Sequence, residues 1–146
     1  MKDDEKCAWD DAPDIERLCE LDRFACGMDR HLLMRALMGV GRIAVVRDGG
    51  LTCGFAILRN FGRGKVVGPV VCADIETAKS LISFAMCSYT DTFMRIDLPE
   101  EAGLYEWVSE LGLEHVGEHV RMTLNPHEPV EQNNVKTFAL VSQALG

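Results

Sequence analysis

Residues 42–85 hold three runs of strand-forming residues, RIAVVRDGG, LTCGFAILRNFGRG and KVVGPVVCAD, and then the helical pattern IETAKSLISFA. Val and Ile fill the runs and glycines separate them, as in strands joined by tight turns. Asp48-Gly49-Gly50 lies between the first two runs. An Asp-Gly pair there signals a hairpin, because a two-residue hairpin turn needs positive φ at its centre. An antiparallel meander that feeds a helix has few ways to fold. The helix lies across the face of the sheet it has just left, and the chain becomes an α+β structure.

The flanking sequence extends this frame. Gly54 inside the second run predicts a bulge or a close backbone approach. Gly68-Pro69 in the third run predicts that pairing breaks on one side, since proline brings no N–H to a ladder. Asp74 predicts an N-cap, and Ile75, Ala78, Ile82, Ala85, Met86 and Tyr89 mark one face of the helix that follows, over residues 75–88. Upstream, Pro13-Asp14 opens a helix over 15–26, and Asp29 caps a second over 30–38. Residues 1–13 form a loose lead-in in which KCAW is a short strand. Downstream, 92–98 reads as a strand ended by Pro99, 100–111 as a helix closed by Gly112, and 115–124 as a final strand. Residues 125–134 form a polar loop, and 135–145 an apolar tail whose period does not decide between strand and helix. The expected architecture is α+β in three layers, with a mixed, mostly antiparallel sheet flanked by helices, in one domain over residues 1–146.

Charge and composition exclude several functions. The net charge is −8 with no Lys/Arg cluster, so no nucleic-acid partner is expected, because phosphate contacts need grouped cations. No run of about 18 apolar residues exists, so no membrane span is expected. The acidic MKDDEKCAWDD has no apolar core of a secretory signal, and the expected location is cytoplasmic. Six cysteines form no C-x-x-C pair and read as buried, reduced thiols. His115 and His119 share one face of the predicted last strand, but without a third ligand they make no metal site. The acidic balance suits a cationic amine substrate, although solubility alone accounts for it.

The order of elements resembles the GNAT N-acyltransferase fold over nearly the whole chain. The segments LDRFACGMDRHLLMRAL, GFAILRNFGRGKVVGPVVCADIETAKSLI, LGLEHVGEHVRM and FALVSQALG are similar to the second, more divergent domain of tandem GNAT proteins. The resemblance implies an acyltransferase that moves an acyl group from acetyl-CoA or another acyl-CoA to a small-molecule amine. The alternative is a non-catalytic GNAT-fold module that binds a ligand, packs on a companion GNAT domain or forms a homodimer.

In GNAT enzymes the pantetheine lies along the strand before the central helix, which implies Val70, Val71 and Cys72 as the cofactor-binding strand. The pyrophosphate sits on a glycine-containing R/Q-x-x-G-x-G/A loop at the helix start, where orphan N–H groups and the helix dipole attract an anion. The junction here is VVCADIE. It carries no glycine, and Asp74 and Glu76 bring negative charge to the place where a phosphate would sit. A literal R-x-x-G-x-G at residues 59–64 falls between two strands and reads as a glycine turn, with Arg59 and Arg63 able to touch a phosphate from the side. The catalytic tyrosine of the family implies Tyr105, about one helical turn away from the usual position, where Val108 stands. Asp97, Glu118 and His119 are candidate general bases. Gly27-Met28-Asp29-Arg30 matches a G-x-D-R element that borders the acceptor pocket, so Asp29 and Arg30 are the substrate-binding candidates. A helix cap and a surface ion pair account for the same two residues.

Overall fold

The computed structural model describes residues 6–62, 64–89, 92–112 and 135–141. Strand β1 (Cys7–Asp10) leads into helices α1 (Ile15–Cys26) and α2 (His31–Val40). The meander follows as β2 (Arg42–Asp48), β3 (Leu51–Phe61) and β4 (Gly64–Cys72), and then α3 (Ile75–Cys87). Strand β5 (Met94–Ile96), a 3-10 turn (Glu100–Ala102), α4 (Tyr105–Glu110) and β6 (Lys136–Ala139) complete the described elements. The α+β class and the mixed sheet expected from the sequence are both present.

The sheet runs β1-β2-β3-β4-β5, antiparallel except for the parallel β4–β5 pair, and β6 joins β4 antiparallel. Gly49 and Gly50 have φ of 59° and 85°, and they turn β2 onto β3. Val46 pairs with Gly54 while Arg47 pairs with Thr52, so Cys53 is the extra residue of a bulge beside Gly54. Gly54 also answers the second expectation. A Cβ there would lie 2.9 Å from the Cys72 Cβ and 3.3 Å from the Val71 carbonyl oxygen. The break at Gly68-Pro69 is likewise present: Leu58 pairs with Val67 and Ala56 with Val70, which leaves two residues of β4 opposite Ile57.

Two apolar layers sandwich the sheet. On one face α3 buries Ala78, Leu81, Ile82 and Ala85 against Ala44, Leu58, Val67 and Val70. On the other, Leu18 and Leu21 of α1 and Met34 and Leu37 of α2 pack on Ile43, Phe55, Ile57 and Val71. Strand β4 is therefore covered on both faces, and its continuous Val-rich run fits that position. Each helix start follows local chemistry. Asp14 accepts from the Arg17 N–H at 3.2 Å, and Asp74 accepts from the Thr77 N–H at 2.8 Å.

Three expectations need correction. The second helix begins at His31, one residue later than read from the sequence, and its N-cap is Arg30 without a side-chain cap. Asp29 instead closes a local turn by accepting from the His31 N–H at 3.0 Å. The helix expected over residues 100–111 is two pieces, because Gly103 takes the left-handed φ of 70° that ends the 3-10 turn. The strand expected over 92–98 spans only Met94–Ile96. The strand over 115–124 and the loop over 125–134 lie outside the described residues. The undecided tail resolves in its described part into strand β6.

Candidate functional site

Strand β4 divides one edge between two partners, and the candidate site forms where it does so. Lys65, Val66 and Val67 pair with β5, while Val70, Val71 and Cys72 pair with β6. Beyond the second group the chain turns through Ala73 and Asp74 into α3. A cavity of about 570 Å³ opens at this junction. Ala73, Asp74 and Ile75 line it from the start of α3, and Cys26, Met28 and Arg30 from the α1–α2 turn. Glu101 and Ala102 close it from the 3-10 turn, and Lys136, Thr137, Phe138 and Leu140 from β6 and the residue after it.

Arg30 reaches this wall from a buried ion pair. Its guanidinium Nη2 donates to Asp22 Oδ1 at 2.5 Å and its Nε to Oδ2 at 3.0 Å, in a two-bond fork. The Asp22 side chain is 1% exposed and that of Arg30 9%. Burial pulls the Arg30 guanidinium down, but the Asp22 hydrogen bond and charge outweigh it and hold its pKa above the ordinary value. The pair fixes the turn between α1 and α2 and places one positive charge at the cavity wall. The sequence pointed to Arg30 but missed Asp22. The signal was present: Asp22 stands four residues after Leu18 in the inward stripe of α1, and an acid in such a stripe requires a buried partner.

The remaining candidates are placed as follows. Asp29 is exposed and caps its own turn. The amides and carbonyls of Val70, Val71 and Cys72 face a strand of the chain itself, and the Cys72 thiol donates to the Asp74 carbonyl oxygen at 3.3 Å. Burial pushes that thiol up to about 12, so it stays protonated and is no nucleophile. Asp97 is buried, and both its carboxylate oxygens accept from Arg95, at 2.9 and 3.1 Å. Tyr105 donates its hydroxyl to the Leu98 carbonyl oxygen at 3.1 Å. Neither Asp97 nor Tyr105 lines the cavity. Glu118 and His119 lie outside the described residues, as does Arg63. Arg59 donates to the carbonyl oxygens of Gly68 at 2.8 Å and Val141 at 2.6 Å. The cavity thus brings together Arg30 and the start of α3 at Ala73–Ile75, while Val70, Val71 and Cys72 do not line it; it adds Glu101 and Lys136, which sequence reasoning did not single out.

At the start of α3, the Asp74 carboxylate occupies the Thr77 N–H and Glu76 adds charge in the first turn. This end of the helix is capped by the protein's own anions. Among the described residues no group of three or more His, Cys, Asp or Glu is placed to hold a metal ion. No described helix is long and apolar enough to cross a membrane.

The fold and the cavity together define the class: a three-layer α+β protein with a cavity at the junction between a central strand and the helix it feeds. Residues 18–139 match the family model described as acetyltransferase (GNAT) domain, and the chain belongs to that family. Membership supports an acyltransferase function in general. No curated protein and no solved structure matches the chain.

Proposed function

We propose that the chain is an N-acyltransferase that moves an acyl group from an acyl-CoA, acetyl-CoA foremost, to a small amine. The position of the cavity carries this reading. It joins the β4–α3 junction, where the family seats the donor's pyrophosphate, to the α1–α2 turn, where the fold borders the acceptor. A volume of about 570 Å³ lies within the range of small-molecule sites. Arg30 and Lys136 bring positive charge to the wall, and Asp74 and Glu101 negative charge. The donor's phosphates would lie toward the first two residues and a protonated amine toward the second two.

The chemistry needs one proton acceptor. Glu101 lines the wall of the cavity, and in this reading its carboxylate takes the proton from the amine. The nitrogen lone pair then attacks the thioester carbonyl carbon. A C–N bond forms, the C–S bond breaks, and the CoA thiolate leaves and takes up a proton. Calorimetry with acetyl-CoA, and with CoA as control, tests the donor. Micromolar binding is expected, and absence of heat at millimolar ligand overturns the reading. On an amine found by mass spectrometry of the products, Glu101→Gln is expected to lower kcat/KM about 100-fold with an unchanged circular dichroism spectrum.

A second reading is favoured by the pairing of β6 with Val70–Cys72 and by the two carboxylates at the start of α3. It is a non-catalytic GNAT module that binds a ligand or packs on a companion domain or a second copy. No acyl-CoA binding, together with a dimer in sedimentation, would favour it.

A further inference from the structure

We propose that β6 is a strap laid over the donor's place on β4, and that its displacement controls access of the acyl-CoA to the cavity. The inference rests on the donor reading above. While β6 is in place, its own backbone holds the edge of Val70, Val71 and Cys72, and no second extended chain can lie there. The strap is also a wall of the cavity, which Lys136, Thr137, Phe138 and Leu140 line. Its departure would lengthen the cavity into an open groove along β4.

The strap is built to be held and released. It is four residues long, and its register on β4 slips between Val70 and Val71. Thr137 Oγ1 is buried on it without a hydrogen-bond partner among the described residues, which weakens the closed state. Against this stand Phe138 and Ala139, packed into the α3 layer, and Val141, packed into the α1–α2 layer. Two polar latches follow the strand. Arg59 donates to the Val141 carbonyl oxygen, and the Leu140 N–H donates to the Asp97 carbonyl oxygen at 2.7 Å. Arg59 ties the strap to β4 itself, because its other nitrogen holds the Gly68 carbonyl oxygen. Gly68 leaves room for this approach: a Cβ there would overlap the Leu140 carbonyl oxygen. Arg59 and Val141 lie outside the cavity, so their latch can be loosened without touching the residues that would meet the ligand.

The test reads hydrogen exchange of the 136–141 amides and acetyl-CoA affinity on the full chain. Arg59→Gln removes the charged latch. The expected result is faster exchange of those amides and about tenfold tighter acetyl-CoA binding, because apparent affinity rises with the populated fraction of the open state. A second variant closes the strap. Lys136→Cys places a thiol opposite Cys72, its partner in the register. Oxidation to the disulfide is expected to weaken acetyl-CoA binding at least tenfold relative to the same variant reduced, a comparison in which the loss of the Lys136 charge from the cavity wall cancels. Faster exchange in Arg59→Gln with unchanged, measurable affinity overturns the strap and leaves the donor reading standing. Exposed 136–141 amides with no acetyl-CoA binding in either protein overturns the donor reading, and the strap with it. Equal affinity of the oxidised and reduced Lys136→Cys protein also overturns the strap.

Discussion

Two buried polar groups carry the clearest consequences at the scale of single residues. The first is the Asp22–Arg30 pair, which is almost fully removed from water. Asp22→Asn leaves a buried guanidinium without its counter-charge and is expected to cost about 3–5 kcal/mol, read from urea unfolding. The double variant Asp22→Leu with Arg30→Met is expected to recover most of that loss, since the penalty lies in the unpaired charge. The second is Cys72, whose pKa burial lifts from the ordinary 9.0 to about 12. The folded chain keeps this proton where the unfolded chain releases it. The stabilisation is therefore complete below pH 9 and is lost as the pH rises from 9 toward 12, by about 1.4 kcal/mol per pH unit. Cys7 and Cys26, also raised by burial, act with the same sign. Urea midpoints at pH 8 and above pH 10 check this, under reducing conditions. Cys72→Ala is expected to flatten the slope, so that its loss of stability relative to the parent chain is largest below pH 9 and shrinks as the pH rises.

At the scale of elements, the meander shows what local sequence can specify. Asp48-Gly49-Gly50, Gly68-Pro69 and Asp74 each carry one physical expectation and Gly54 two, a bulge or a close approach, and all are met. The cap residue and the turn glycines act through neighbours a few positions away, so they are legible in a window of sequence. The limits are equally physical. In sequence Gly103 is indistinguishable from a residue inside the helix, because a glycine within an apolar period is ambiguous until its φ is known. The partner of Arg30 lies eight residues away on another helix, and its stripe alone hinted at it. The pairing of β6 with β4 joins residues more than 60 positions apart, and no local period encodes that choice. The candidate site was thus half legible: the β4–α3 junction and Arg30 were, and the walls from the 3-10 turn and β6 were not. One element-scale variant tests the close packing of the meander. In Gly54→Ala the new methyl meets the Cys72 Cβ and the Val71 carbonyl of β4, neither of which is a flexible tip. The expected loss is about 1–3 kcal/mol in urea unfolding, with the same secondary structure by circular dichroism.

For the whole molecule, stability is distributed unevenly about β4. Strand β3 pairs along most of one edge, while β5 and β6 share the other in short segments. Native-state hydrogen exchange is expected to be slowest in β3 and in β4, and faster by an order of magnitude or more in β5 and β6. Equal protection of β6 and β3 would contradict this ordering. The two apolar layers reinforce it, because each packs its largest side chains on the β2–β4 frame.

The shared edge also bears on solubility. The β4 residues that β6 covers are Val70, Val71 and Cys72, all fully buried and carrying no charge that would repel another chain. Left bare, such an edge is a template on which like molecules add strand to strand. A chain that gives up β6 must therefore have something else to put in its place, or it will find a neighbour. The same four residues that govern a pocket would also stand guard against precipitation.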